Sequence, residues 1–234
     1  MKRVLILVLS CETPPYNKMV DTSKGTWDSI EVDGVETVYY FGVSHYKRTD
    51  LNCIYLPVKE SLETMGEKTV QALEYALNNY EFDYIARINS SCYVDKKKLL
   101  IYAQSLQKDN LFEGLTVKRP DTFDYTWGGG QFIISKDVIQ KIVDNKTKWN
   151  HSYMEDESLG LLVSTLGIPF TDGSACSINK TDNKWLLLSY GNGNSIEFTD
   201  FKDIKDSPHY FYRVKQDGKR DLDKYLMQQL YANS

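Results

Sequence analysis

The stretch from Phe82 to Asp95, FDYIARINSSCYVD, constrains the fold more than any other part of the chain. It opens on a run suited to a buried strand, Tyr84-Ile85-Ala86-Arg87-Ile88, and halts on three small polar residues, Asn89-Ser90-Ser91. A second short apolar step, Cys92-Tyr93-Val94, follows, and a solvated helix opens at Asp95. In an open α/β sheet the ligand crevice lies beyond the carboxyl ends of the strands, which would set Arg87, Asn89, Ser90 and Ser91 facing it. A hydrogen-bonded turn at an ordinary strand end accounts for the same residues without a ligand.

The order of the surrounding segments favours the crevice. Val4 to Leu9 is continuously apolar, as in a central parallel strand covered on both faces. It ends at Ser10-Cys11-Glu12, and Pro14-Pro15 prevents immediate regular structure. Thr37 to Phe41 and Asn52 to Leu56 read as two further strands. Between Glu63 and Asn79, Val70, Leu73, Ala76 and Leu77 recur at helical spacing, with Lys68 and Thr69 in the early turns. A helix over about 96–108, a strand over 115–118 and a loop over 120–127 are expected next. Gly128-Gly129-Gly130 then leads into a strand, Gln131 to Ser135, that hands over to a helix. Three glycines let backbone approach a ligand or adopt positive φ, but they lack the spacing of a dinucleotide fingerprint or a P-loop. A buried helix is expected over 158–166, loops with short strands such as Trp185 to Leu188 over 170–207, and a last helix over 221–231. With no repeat and no clear linker in 234 residues, one domain is expected.

Composition excludes several function classes. Hydrophobic residues make up 41% of the chain, so it is globular. A net charge of −4 with no long basic run argues against a nucleic-acid backbone as partner. Cys11, Cys53, Cys92 and Cys176 form no CxxC pair, which signals neither a zinc site nor a disulfide framework. The basic start of MKRVLILVLS precedes an apolar run too short for a membrane span, so it reads as a strand. A soluble, cytoplasmic protein with no membrane insertion is the expectation.

Three further groups carry possible chemistry. Glu155-Asp156-Glu157 precedes an apolar helix, where carboxylates cap the N-terminus or serve as a general base. Arg213 and Lys215, two apart in an extended tail that also holds His209, suit a diphosphate as well as a solvated surface. Tyr125 and Trp127, beside the glycines, offer a stacking face to a sugar. His45 and His151 have no ligand spacing, and Ser90 and Ser91 lack the nucleophile-elbow pattern.

Taken in order, these pieces resemble a GT-A glycosyltransferase of the β1,3-galactosyltransferase and Fringe-like group, over roughly residues 1 to 170. Lys24-Gly25-Thr26-Trp27 looks like that group's Arg-x-Thr-Trp, with Lys for Arg, and the segment ending in Lys68-Thr69 resembles its Leu-x-x-Lys-Thr helix start. Gly128 to Ser135 is similar to its Gly-Gly-Gly-Tyr-x-x-Ser strand, and Glu155 to Gly160 to its Glu-Asp-Val-x-x-Gly. Asn89-Ser90-Ser91-Cys92-Tyr93-Val94 falls where the group has Asp-Asp-Asp-Val-Tyr-Val. There the chain is similar instead to viral and microbial relatives with Arg-Thr-Asn-Leu-Ser-Ser-Phe and a His-Tyr-Arg-x-Lys-like tail.

The resemblance implies an α/β fold: a twisted, mostly parallel sheet with helices on both faces and a smaller mixed sheet at the acceptor cleft. Residues 1–95 would bind the donor, 96–207 would form the acceptor half, and 208–234 would close on the donor. It implies transfer of a sugar, with inversion, from a nucleotide diphosphate sugar (a UDP-sugar foremost) to a glycan hydroxyl. Asp156 is the expected base, with Glu155 as alternate. Ser10, Cys11, Glu12, Lys24, Lys68, Asn89, Ser90 and Ser91 would line the donor site, and Tyr125, Trp127 and the three glycines the acceptor site. The group's acidic triplet holds a divalent metal, whereas Asn and Ser are poor ligands for a hard cation. No cofactor is therefore the favoured expectation, with Arg87, Lys24, His209, Arg213 and Lys215 around the diphosphate. Mn²⁺ or Mg²⁺ held by Asp95 or Glu12 is the alternative. A binding module on a degenerate scaffold, without turnover, is the competing class. A sugar-nucleotide pyrophosphorylase would want a Gly-, Arg- and Lys-bearing loop after the first strand, which Ser10 to Pro15 lacks.

Overall fold

The computed structural model describes residues 1–45, 47–118, 123–129, 131–173, 175–190, 193–216, 218 and 220–234. Its elements begin with β1 (Val4–Leu9), α1 (Tyr16–Lys24), β2 (Val35–Phe41), β3 (Cys53–Tyr55) and α2 (Met65–Asn79). They continue with β4 (Tyr84–Asn89), β5 (Cys92–Val94), α3 (Lys96–Ser105), β6 (Phe112–Gly114), β7 (Thr116–Val117) and β8 (Tyr125–Thr126). Then come β9 (Phe132–Ser135), α4 (Lys136–Asp144), α5 (Glu155–Thr165), β10 (Phe170–Asp172) and β11 (Ala175–Lys180). Last are β12 (Trp185–Tyr190), β13 (Ser195–Phe198), β14 (Phe211–Arg213) and α6 (Arg220–Ala232).

A seven-stranded sheet, ordered β10-β6-β9-β4-β1-β2-β3, forms the centre, and β9 runs against its neighbours β4 and β6. The apolar run of β1 follows from its position. Val4, Ile6 and Val8 enter one buried cluster with α3, α6 and the second sheet; Leu5, Leu7 and Leu9 enter another with α2, α4 and α5. Side chains alternate across a strand, so a strand covered on both faces needs apolar residues throughout. The chain lays β2 and β3 to one side of β1 and then returns to place β4 on the other. The two strand ends, Leu9 and Asn89, are in register at this switch point, where open α/β sheets carry their crevice.

The second sheet is ordered β13-β12-β11-β14-β5, and β7 and β8 form a separate ribbon. Here the sequence expectations need correction. In the 170–207 region the strand expected at Trp185 to Leu188 is β12, while β10 joins the edge of the central sheet and β11 and β13 flank β12 in the second sheet, which is half solvated: Ser195, Ile196 and Glu197 are exposed on β13 and Phe198 is buried. The single strand expected over 115–118 is instead β6, which joins the central sheet, and then β7. The loop expected over 120–127 contains β8, and α3 ends at Ser105 rather than near 108. The acidic triplet lies inside the first turn of α5. Among the described residues no helix is long and apolar enough to cross a membrane.

Candidate active site

At the switch point the Ser90 N–H donates to Leu9 O at 3.2 Å and the Ser10 N–H to Tyr40 O at 3.1 Å, joining the strand ends. Ser10, Ser90 and Ser91 are buried and form the floor of this region. Lys68, from the first turns of α2, donates to Ser10 O at 2.9 Å and to Glu60 Oε2 at 2.7 Å. Its ammonium is buried and already neutralised by Glu60, so Lys68 braces β1 against α2 and does not offer its charge to a donor.

Arg87 needs the same correction. It is 1% exposed and pairs with Glu155 Oε2, itself 3% exposed, while its Nε donates to the Tyr40 hydroxyl at 3.3 Å. Tyr40 meets Thr69 Oγ1 at 2.9 Å, and Thr69 donates to Glu155, so four residues from β2, α2, β4 and α5 close a ring. Burial pushes the Glu155 carboxyl up while Arg87 beside it pulls it down, and burial pushes the Tyr40 phenol up to about 12. A guanidinium spent on a buried carboxylate is not a diphosphate clamp, and a carboxylate spent on that guanidinium is not an accessible base.

The next residue, Asp156, is partly exposed at the N-terminus of α5. Its Oδ2 accepts from the Gly128 N–H at 2.9 Å, and its Oδ1 from the Glu157 N–H at 3.0 Å. On the other side of the same peptide segment, Asn89 Nδ2 donates to Gly128 O at 2.7 Å. Gly128 is thus held between the end of β4 and the start of α5. A Cβ there would stand 2.8 Å from Asp156 Oδ2, so glycine is what allows the carboxylate this close. A Cβ on Gly129 would stand 2.3 Å from the Trp127 ring, which lies over that backbone. Trp127 packs at 5.4 Å, tilted by 58°, against Tyr190 of β12, a residue the sequence reading passed over. Tyr125 lies two residues before Trp127 and is also partly exposed. Gly130 lies outside the described residues.

The tail meets the turn directly. β14 pairs antiparallel with β5, Arg213 opposite Cys92, and the Val214 N–H donates to Ser91 O at 3.1 Å. Arg213 Nη1 lies 3.8 Å from Cys92 Sγ, one residue past Ser91, and Lys215 is exposed just beyond. His209 is a correction. It precedes β14, beside Tyr210, whose carbonyl accepts from the Asp95 N–H, and therefore lies toward the Asp95 end of β5, away from Cys92. Its ring meets Ser189 Oγ at 2.7 Å, and burial with Lys98 nearby lowers its pKa, which disfavours the cation a phosphate would need. Lys24 pairs at 2.7 Å with Asp50 in a surface cluster with Arg48 and Asp21, so it too stands in an existing ion pair. Cys11 and Glu12 stay partly exposed past β1, with Glu12 accepting from the Tyr55 hydroxyl at 3.0 Å.

The donor set does not fit a divalent cation. Among the described residues no three of His, Cys, Asp and Glu gather into a cation site. Asp95 caps α3, accepting from the Lys98 N–H at 3.0 Å, and stands at the end of β5 remote from Asn89. Asn89, Ser90 and Ser91 bring no charge to a hard ion.

No family model matches the chain, and no curated protein matches it by sequence. Solved structures do match in fold. One is a glycosyltransferase involved in the glycosylation of the major capsid of PBCV-1, at TM-score 0.54 and 12% identity, covering 96% of this chain and 98% of that one. Another is the galactosyltransferase LgtC in complex with donor and acceptor sugar analogs, at TM-score 0.54 and 10% identity, covering 97% and 95%. At these identities the likeness is one of fold. The chain has the GT-A fold of these two glycosyltransferases, matched over nearly its whole described length.

Proposed function

We propose that this chain transfers a sugar from a nucleotide diphosphate sugar, a UDP-sugar foremost, to a hydroxyl of a glycan acceptor, with inversion and without a metal. The observation that carries the reading is Asp156 itself: a partly exposed carboxylate that accepts from the Gly128 N–H, on a peptide segment whose carbonyl Asn89, at the end of β4, also binds. A single in-line displacement needs one base on the face opposite the departing diphosphate. Asp156 takes the acceptor proton, and the Trp127–Tyr190 pair beside it stacks on the acceptor ring. Arg213, which the β5–β14 pairing brings opposite Cys92 beside the Asn89-Ser90-Ser91 turn, and Lys215 two residues on, take up charge on the leaving diphosphate. The shared fold with two glycosyltransferases supports the reaction class.

The test is release of nucleoside diphosphate from a panel of nucleotide sugars, in EDTA and with Mn²⁺, for the wild type and Asp156→Asn. We expect turnover in EDTA, and a loss of about 10²–10⁴-fold in kcat for Asp156→Asn with donor binding nearly unchanged. Substantial turnover in the variant removes Asp156 as base, and turnover seen only with Mn²⁺ overturns the metal-free reading. One observation favours a second reading: Asn89 is tied to Gly128 O within an uncharged turn, as in a module that only binds. That module would hold a donor tightly and release no diphosphate.

A further inference from the structure

Of the charged groups outside the crevice floor, Asp223 of α6 is the least expected. It is 0% exposed, in the first turn of a helix whose other buried residues include Leu226, Met227 and Leu230. Its Oδ1 accepts the Gln216 N–H at 2.7 Å, and its Oδ2 stands 3.0 Å from Arg220 Nη1. Gln216 is itself a knot. Its side-chain amide donates to Ile178 O at 2.6 Å and to Lys215 O at 3.2 Å, and its Oε1 accepts from the Lys180 N–H at 3.1 Å. The two residues thereby tie three elements together: β11 through Ile178 and Lys180, α6 through Asp223, and the chain leaving β14.

The tied segment is the one that carries the cations. Val214 is bonded to Ser91 O on the side facing the turn, and Gln216 is bonded to β11 and α6 on the other. Arg213 and Lys215 flank Val214, so neither can change its relation to the turn while both anchors hold. Lys215 and Gln216 also wall a cavity of about 550 Å³ with Asn179, Lys180 and Asp182, so the anchored segment borders open space. Arg213 and Lys215 act on Asp223 electrostatically, as does Arg220, so the buried carboxylate also offsets repulsion among three clustered cations.

We infer that Asp223 and Gln216 are positioning residues, a latch that holds the tail so that Arg213 and Lys215 meet a diphosphate at the Asn89-Ser90-Ser91 turn. The inference rests on the donor-site reading above, and it adds the element that sets the clamp. Neither residue touches the ligand; each acts through the backbone at Gln216, one residue past Lys215. An unlatched tail would lose recognition of the β-phosphate while leaving contacts made by the end of β1 intact.

The test compares binding of UDP, GDP, CDP and dTDP with that of their monophosphates, by calorimetry, in the wild type, Asp223→Asn and Gln216→Ala, each first shown to be folded by its thermal transition. Gln216→Ala keeps the Asp223–Arg220 ion pair that Asp223→Asn breaks, so it serves where Asp223→Asn does not fold. We expect one diphosphate to bind the wild type and both variants to weaken it about tenfold or more, the scale of one lost charge-assisted contact. The matching monophosphate should change less than about twofold. Diphosphate affinity unchanged in the variants, or equal losses for diphosphate and monophosphate, overturns the latch and leaves the donor-site reading standing. A wild type that binds no nucleoside diphosphate overturns that reading, and the latch with it.

Discussion

Replacing Glu155 with Leu leaves the Arg87 guanidinium, 1% exposed, without its carboxylate. Water cannot reach it there, and what remains around it is neutral: the Tyr40 phenol 3.3 Å from Nε, Gly128 O 3.5 Å from Nη1, and the Phe132 ring 5.3 Å beneath. Removing one member of a buried ion pair costs about 3–5 kcal/mol, because the other charge stays desolvated. At this chain length each kcal/mol moves Tm by roughly 2–4 °C, so Glu155→Leu should unfold roughly 6–20 °C lower. Arg87→Met should cost a similar amount. The double variant should recover most of the loss, because Tyr40 and Thr69 still bond each other at 2.9 Å and an apolar pair fills the space. Urea unfolding of the four proteins gives the coupling energy, expected to exceed about 2 kcal/mol. Single losses below about 1 kcal/mol, or additive losses, would refute the claim that these two charges serve each other rather than a ligand.

Two shorter predictions follow from the same geometry. Gly128→Ala should push the Asp156 carboxylate aside, since the new Cβ would lie 2.8 Å from Oδ2; a fall of about tenfold or more in kcat with donor binding kept is the expected result in the release assay. Burial pushes the Asp223 carboxyl up to about 6 from 3.8, with the Gln216 N–H, Arg220, Arg213 and Lys215 pulling the other way. Between those values the native state holds a proton that the unfolded chain releases, so this group's contribution to stability falls as pH rises from about 4 to 6 and is flat above. The difference between wild type and Asp223→Asn in urea unfolding from pH 4.5 to 7.5 should trace that fall, and a flat difference would refute it.

Much of the architecture was legible because burial on two faces leaves a strong mark. β1 stands out in the sequence as an unbroken apolar run and β4 as one interrupted only by Arg87 before it ends at Asn89, and their shared end at Leu9 and Asn89 is the switch point. The second sheet and its strand from Trp185 were expected, but β13 left no mark, since a half-solvated strand can bury a single residue, here Phe198. The pairing of Arg87 with Glu155 spans 68 positions, and no local signal announces it. Strand parity does hold a clue: Arg87 shares its face of β4 with Ile85, which packs into the cluster containing α2 and α5. An arginine on a face covered by helices must find its counter-charge there.

The same criterion sorts the other charges proposed for the site. Lys68, Arg87 and Glu155 were all attractive as ligand contacts by residue type, and all three are buried and paired: Lys68 with Glu60, Arg87 with Glu155. Asp156 and Arg213 are partly exposed and Lys215 is exposed, Asp156 beside the Gly128 backbone and the other two on or just past β14. Burying an ion costs several kcal/mol unless a partner offsets it, so a fold keeps its interior charges in pairs and leaves at the rim those that must act on something arriving. On that argument the proposed chemistry falls to Asp156 and the tail. The buried pairs do what their position allows, which is to hold α2, α5 and the strand ends still beneath them.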